Sequence, residues 1–194
     1  MGKSRLEAFS DGVIAIIITI MVLEMKVLRG GELSALRPLL PTFLSYVLSF
    51  VYVGIYWNNH HHMLHTATRV TGPMLWANLH LLFWLSLFPL ATGWVGQNPF
   101  AAAPSALYGV VLLMAAIAYL VLQQTIIAGE GPGSTLSKAV GRDWKGKFSP
   151  LIYVVAILTT LWNPWIAQGL YVLAALFWLV PDRRIEHALR QSSN

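Results

Sequence analysis

Five apolar runs follow one another along the chain, and short polar segments separate them. A hydrocarbon core about 30 Å thick needs roughly 20 apolar helical residues to cross it. By this measure the first four runs each predict one membrane-spanning helix. Their approximate bounds are 9–28, 39–57, 74–95 and 105–128.

The last apolar run, 148–180, is too long for a single span. Asn163-Pro164 divides it, because proline removes a backbone donor and disfavours helix at the residue before it. Two short helices at 148–163 and 164–180 therefore form a tight hairpin. The sequence predicts an all-α integral membrane protein with six transmembrane helices, in one domain that covers residues 1–194.

Composition supports lipid as the solvent of these runs. Hydrophobic residues make up 56% of the chain and charged residues only 11%, whereas a soluble domain carries about 25% charged residues. The chain has no cysteine, which excludes a disulfide framework, a thiolate metal site and a cysteine nucleophile. The buried polar inventory is too thin for an enzyme, which needs a positioned nucleophile or a pair of titratable groups.

Lysine and arginine predict the orientation, since they accumulate in cytoplasmic loops. With six spans, ten of the 13 basic residues fall on one side. They are Lys3, Arg5, Arg69, Lys138, Arg142, Lys145, Lys147, Arg183, Arg184 and Arg190. The other side holds Lys26, Arg29 and Arg37. We therefore expect a multi-pass protein of the plasma (inner) membrane with both termini in the cytoplasm, and we attribute the net charge of +5 to these loops rather than to a nucleic-acid partner.

The first helix contains an acid at the edge of the hydrocarbon. A charge at mid-helix costs roughly 2.5–3.5 kcal/mol on insertion scales, and less near the interface, so Asp11 needs a partner or water beside it. One interpretation is that Ser10 and Asp11 only cap the start of the helix. The other is that they bind another helix or another subunit.

A resemblance favours the second interpretation. Arg5, Phe9, Ser10 and Asp11 form the pattern Arg-x-x-x-Phe-Ser-Asp. This pattern resembles the signature of the transmembrane protein 175 family of endosomal and lysosomal potassium channels, with its bacterial single-repeat relatives. Other segments that resemble family elements are Tyr56-Trp57-Asn58-Asn59-His60, Asn78-Leu79 and Phe88-Pro89.

The resemblance implies a cation channel without a re-entrant selectivity loop. A chain with one six-helix repeat would form a homotetramer in the lipid bilayer, with four first helices lining the pore. Its permeant ions would be potassium and other monovalent cations, and no cofactor is expected. Trp57 and His60 would hold the pore helix together with the Arg5–Asp11 motif, and Asn78 is suited to hydrogen bonding between helices.

The same resemblance suggests the pore lining. In the family, an isoleucine five residues after the aspartate forms the narrowest hydrophobic ring, and Ile16 occupies that place. Ile20 and Leu23 share its helix face, with Thr19 alongside. On spacing alone, isoleucine and leucine on one helix face are ordinarily lipid-facing or packed. Ala15 stands where some members have serine, so we expect weak selectivity.

Two further features of the sequence each allow more than one interpretation. His61 and His65 share a helix face that could bind a metal, or they could simply end an interfacial helix; no metal site is predicted. Glu24 could stand in the pore mouth, reach the membrane interface, or pair with Lys26 or Arg29. A secondary transporter or a proton-conducting protein is the alternative function.

Overall fold

The computed structural model describes residues 2–25, 31–131, 133–140 and 144–179. Within these ranges every regular element is a helix. The α-helices are α1 (Lys3–Leu23), α2 (Leu40–His65), α3 (Gly72–Ser86), α4 (Phe88–Gln97), α5 (Ala102–Glu130), α6 (Thr135–Val140), α7 (Trp144–Thr159) and α8 (Pro164–Leu179). A 3₁₀ helix, Leu33–Leu39, leads directly into α2. The prediction of an all-α protein is confirmed.

Four segments of the described chain are long and apolar enough to cross a membrane. They are Lys3–Leu23, Leu33–His65, Gly72–Gln97 and Ala102–Glu130. Two shorter apolar helices, Phe148–Thr159 and Pro164–Leu179, follow them. Each of the four long segments overlaps one of the first four predicted spans.

The helices extend beyond the predicted spans at their polar ends. α1 begins at Lys3 rather than at residue 9, and α2 continues eight residues past Trp57 to His65. Hydropathy detects the part of a helix that lies in hydrocarbon, whereas the backbone hydrogen bonds continue into water. The expected end of the first span, 26–28, and Val180 at the end of the last lie outside the described residues.

The third predicted span is two helices. α3 ends at Ser86 and α4 begins at Phe88, with Leu87 between them. Pro89 has no N–H to continue the α3 hydrogen-bond ladder, and this breaks the helix within an apolar run. The predicted break at Asn163-Pro164 is present, since α7 ends at Thr159 and α8 begins at Pro164.

The core forms where α5 packs against α3, α4 and α7. Two glycines permit its closest helix contacts. A Cβ atom on Gly109 would collide with the hydroxyl of Tyr171 and lie 2.6 Å from Cγ1 of Ile157. A Cβ atom on Gly96 would lie 2.7 Å from Cα of Thr42.

α1 and α2 lie at the edge of this core. Only 28% of the apolar window of α1 and 22% of that of the α2 segment are buried, against 50% and 56% for the α3–α4 and α5 windows. One face of each edge helix is therefore free to meet lipid or another subunit.

Candidate pore helix and its anchor

α1 has one face buried against the rest of the chain. Its buried residues recur every three or four positions, the spacing that puts side chains on one side of a helix. They are Leu6, Ser10, Ile14, Ile17 and Met21. This face packs on α2, α3 and α4.

The opposite face of α1 is uncovered and mostly apolar. Ile16 is 59% exposed, Ile20 41% and Leu23 75%. The residues predicted to form a constriction thus lie together on one exposed stripe. Thr19 is also exposed, and its hydroxyl donates to the carbonyl of Ala15 at 2.9 Å, so its lone pairs rather than its proton are left for another group.

Asp11 has a partner on α2. The indole Nε1 of Trp57 donates to Asp11 Oδ1 at 2.9 Å. Asp11 does not cap α1, because the helix begins eight residues earlier, after an N-cap at Gly2. The interpretation of Ser10 and Asp11 as helix caps is therefore wrong.

Ser10 belongs to a buried relay that joins three helices. Asn78 Nδ2 on α3 donates to Ser10 Oγ at 3.0 Å, and Ser10 Oγ donates to the carbonyl of Leu6 at 2.9 Å. Asn78 Oδ1 lies 2.7 Å from His60 Nε2 on α2. Because a carboxamide oxygen only accepts, His60 Nε2 carries the proton of this bond. Buried polar groups that are all satisfied in this way hold helices in one arrangement.

Two residues of the first-helix motif take no part in these bonds. Arg5 is exposed, and its side chain makes no hydrogen bond to the residues that the structure describes. Phe9 is 48% exposed on the open side of α1.

Sequence reasoning missed a further bond between α1 and α2. Lys3 Nζ donates to the carbonyl of His65 at 2.8 Å. The contact places a cation at the C-terminal end of α2, where the helix dipole favours positive charge. No local sequence pattern predicts this bond, because the two residues are 62 positions apart.

The histidines after Trp57 pack as an aromatic group. The ring of His61 stacks on Trp57 with a centroid distance of 6.2 Å, and His65 follows at 6.4 Å from His61. In the described part of the chain, no three His, Cys, Asp or Glu side chains are grouped to hold a metal ion.

Comparison with known proteins identifies the family. Residues 5–89 match the family described as "Endosomal/lysosomal potassium channel TMEM175". A potassium channel of Chryseobacterium sp. (strain P1-3) is 56% identical over 192 residues, covering 99% of this chain and 100% of that protein. The chain belongs to the TMEM175 family.

Solved structures and animal members agree with this assignment. The crystal structure of a lysosomal potassium-selective channel TMEM175 homolog from Chamaesiphon minutus superposes with a TM-score of 0.79 and 27% identity, covering 92% of this chain and 96% of that one. The endosomal/lysosomal proton channel TMEM175 of Gallus gallus is 34% identical over 103 residues, which is 47% of this chain but only 21% of that protein.

We use the term anchor for the Trp57–Asp11 bond together with the Ser10–Asn78–His60 relay, and the family match includes all of these residues. The matched segment 5–89 contains both partners of the Trp57–Asp11 bond and all members of the Ser10–Asn78–His60 relay. The family and the relatives are ion channels, not enzymes. They support membership of this chain in a family of membrane ion channels.

Proposed function

We propose that four copies of this chain assemble around α1 and pass potassium and other monovalent cations, with weak selectivity, down their gradients. The observation that carries the proposal is the stripe formed by Ile16, Ile20 and Leu23, apolar and uncovered on the side of α1 that faces away from its own chain. The potassium channel names of the bacterial relatives support the choice of ion.

Around a fourfold axis, the stripe would form a hydrophobic neck with Ile16 as its narrowest ring. Apolar constrictions gate ion flow by expelling water from a narrow passage. Thr19 would supply the only hydroxyl of α1 near the neck, through its free lone pairs. Because this lining offers so few polar ligands, it would discriminate weakly between potassium and sodium.

The anchor explains how such a helix keeps its position. A helix that lines a pore has no protein behind its open face, so its position must be fixed from the other side. In this chain, the indole of Trp57 and the amide of Asn78 bond to two successive residues of α1, Asp11 and Ser10. Arg5 and Phe9, which are exposed in one chain, would complete the anchor against a neighbouring subunit.

The proposal includes six spans, with α7 and α8 as the last pair. Each has 16 residues, which corresponds to about 24 Å at 1.5 Å per residue. This is shorter than a typical core of about 30 Å, a mismatch that membranes accommodate by thinning locally. An even number of spans would leave both termini in the cytoplasm and the protein in the plasma membrane.

Proton conduction is the second candidate. The animal relatives are named proton channels, although this chain spans about a fifth of their length. A secondary transporter is the third candidate. Such proteins place broken helices at mid-membrane; in the described chain the α3–α4 span is broken at Leu87, whereas α1 runs unbroken from Lys3 to Leu23.

Purified protein in liposomes tests the proposal directly. Potassium, sodium and proton fluxes would be measured separately on one preparation, and subunits counted by cross-linking. A channel gives uncoupled ion flux, with single openings in a planar bilayer. Proton flux without potassium flux would favour the second candidate, and saturable coupled flux would favour a transporter. A count other than four would refute the tetramer.

A further inference from the structure

α1 ends with an acid where the helix dipole disfavours one. Glu24 is the C-cap residue, and its backbone N–H donates to the carbonyl of Ile20 at 3.0 Å. The C-terminal end of a helix carries partial negative charge, so lysine, arginine or histidine is the favourable residue there. Residues that break a local rule of this kind are expected at functional sites.

The described surroundings give Glu24 no compensating charge. Its side chain is exposed, and within the described residues it forms no ion pair or hydrogen bond. The basic residues that follow in sequence, Lys26 and Arg29, lie outside the described residues. The carboxylate stands at the end of α1 that is opposite to the Asp11 anchor.

A groove beside the carboxylate connects it with the exposed stripe. The groove runs between the end of α1 and α4 and encloses about 630 Å³. Glu24 and Ile20 line it from α1, and Ser86, Gly93 and Gln97 line the other side. The Glu24 carboxylate lies close to Gly93, since a Cβ atom on Gly93 would be in ordinary van der Waals contact with Glu24 Oε2 at 3.9 Å. The open groove therefore holds a carboxylate next to a residue of the proposed neck.

We propose that Glu24 recruits permeant cations at the mouth of the pore formed by the C-terminal ends of α1. The inference rests on the proposed function, because it requires several α1 helices to converge on one axis. Four carboxylates and four negative helix ends would then face one entrance. Clefts lined by one sign of charge raise the local concentration of counter-ions, and salt screens the effect.

Conductance at two salt concentrations tests the role of Glu24. The Debye length is about 30 Å at 0.01 M and about 3 Å at 1 M. Glu24→Gln should lower single-channel potassium conductance roughly threefold or more at 0.01 M, and leave it unchanged at 1 M, because the local enrichment of cations is lost only where it is unscreened. The loss should affect only current that enters from the Glu24 side. Glu24→Asp should restore most of the conductance.

Glu32→Gln is the matched control. It removes the same charge from an exposed acid on the same side of the predicted membrane, but outside α1. If the wild-type protein conducts but Glu24→Gln and Glu32→Gln have equal conductance at 0.01 M salt, the inference about Glu24 is overturned and the proposed function is not affected. A Glu24→Gln effect that persists at 1 M salt would also overturn it, since it would indicate a structural role. Wild-type protein without cation flux would overturn the proposed function.

Discussion

The indole of Trp57 and the carboxylate of Asp11 join the last third of α2 to the first half of α1 through a single hydrogen bond of 2.9 Å. At the preceding residue of α1, Ser10 accepts a hydrogen bond from Asn78 of α3. The two hydrogen bonds hold neighbouring residues of α1, one from α2 and the other from α3. α1 is thereby fixed in rotation, so its exposed stripe has a defined direction even though nothing in the described chain covers it.

Removing the indole donor should loosen α1. We expect Trp57→Phe to lower the yield of the proposed tetramer in detergent and to reduce stability by about 1 kcal/mol, because it deletes one hydrogen bond at an exposed site. Asp11→Ala should have a similar or larger effect. Trp76→Phe is the control, since Trp76 is 75% exposed and the substitution removes the same atoms at another position. A normal tetramer with normal conduction in Asp11→Ala would contradict the anchoring role.

Breaking the buried relay should cost more. Asn78→Leu leaves the Ser10 hydroxyl without its donor and His60 Nε2 without its acceptor, and each unsatisfied buried group costs about 1–3 kcal/mol. Thermal unfolding followed by tryptophan fluorescence would measure the loss. Asn58→Leu makes the same replacement at an exposed position on α2. Equal stability of the two variants would show that the relay contributes nothing to the position of α1.

The close contact between α5 and α8 predicts a third effect. Gly109→Ala would drive a methyl group into the Tyr171 hydroxyl and the side chain of Ile157. Overpacking of this kind costs about 1–3 kcal/mol. Gly54→Ala on α2 is the matched control, because its Cβ position has no atom of another described element within 4 Å. We expect a lower unfolding temperature only for the Gly109 variant, and equal temperatures would contradict close packing of α5 against Tyr171 and Ile157.

Hydropathy predicted where the long helices lie, but not where they bend. The Phe88-Pro89 pair was visible in the sequence, yet an apolar run on both sides of it fits one span as well as two helices. The structure resolves this at Leu87. Hydropathy indicates whether a segment lies in lipid or in water, and a kink inside lipid does not change that environment.

The residues that hydrogen-bond to α1 could not be predicted from local sequence patterns. Asp11 and Trp57 are 46 residues apart, and Lys3 and His65 are 62 apart. Helical periodicity places side chains on a face but does not say which helix meets that face. The resemblance singled out Trp57 and His60. It did not give the bond from Lys3, which lies outside the motif.

The exposed stripe of α1 leads to the most direct functional prediction. Ile16→Asn would place a polar amide at the narrowest point of the proposed neck, where it would hold water. We expect potassium flux in liposomes to rise at least tenfold, the change that follows if the barrier falls by about 1.4 kcal/mol. Ile166→Asn on α8 is the control, because Ile166 is 50% exposed and undergoes the same change. If Ile16 faced lipid, the two variants would behave alike and both would lose stability rather than gain flux. A rise confined to Ile16→Asn, with an intact tetramer, requires the Ile16 side chain to stand in the ion path, because a polar group facing lipid has no means of wetting the pore.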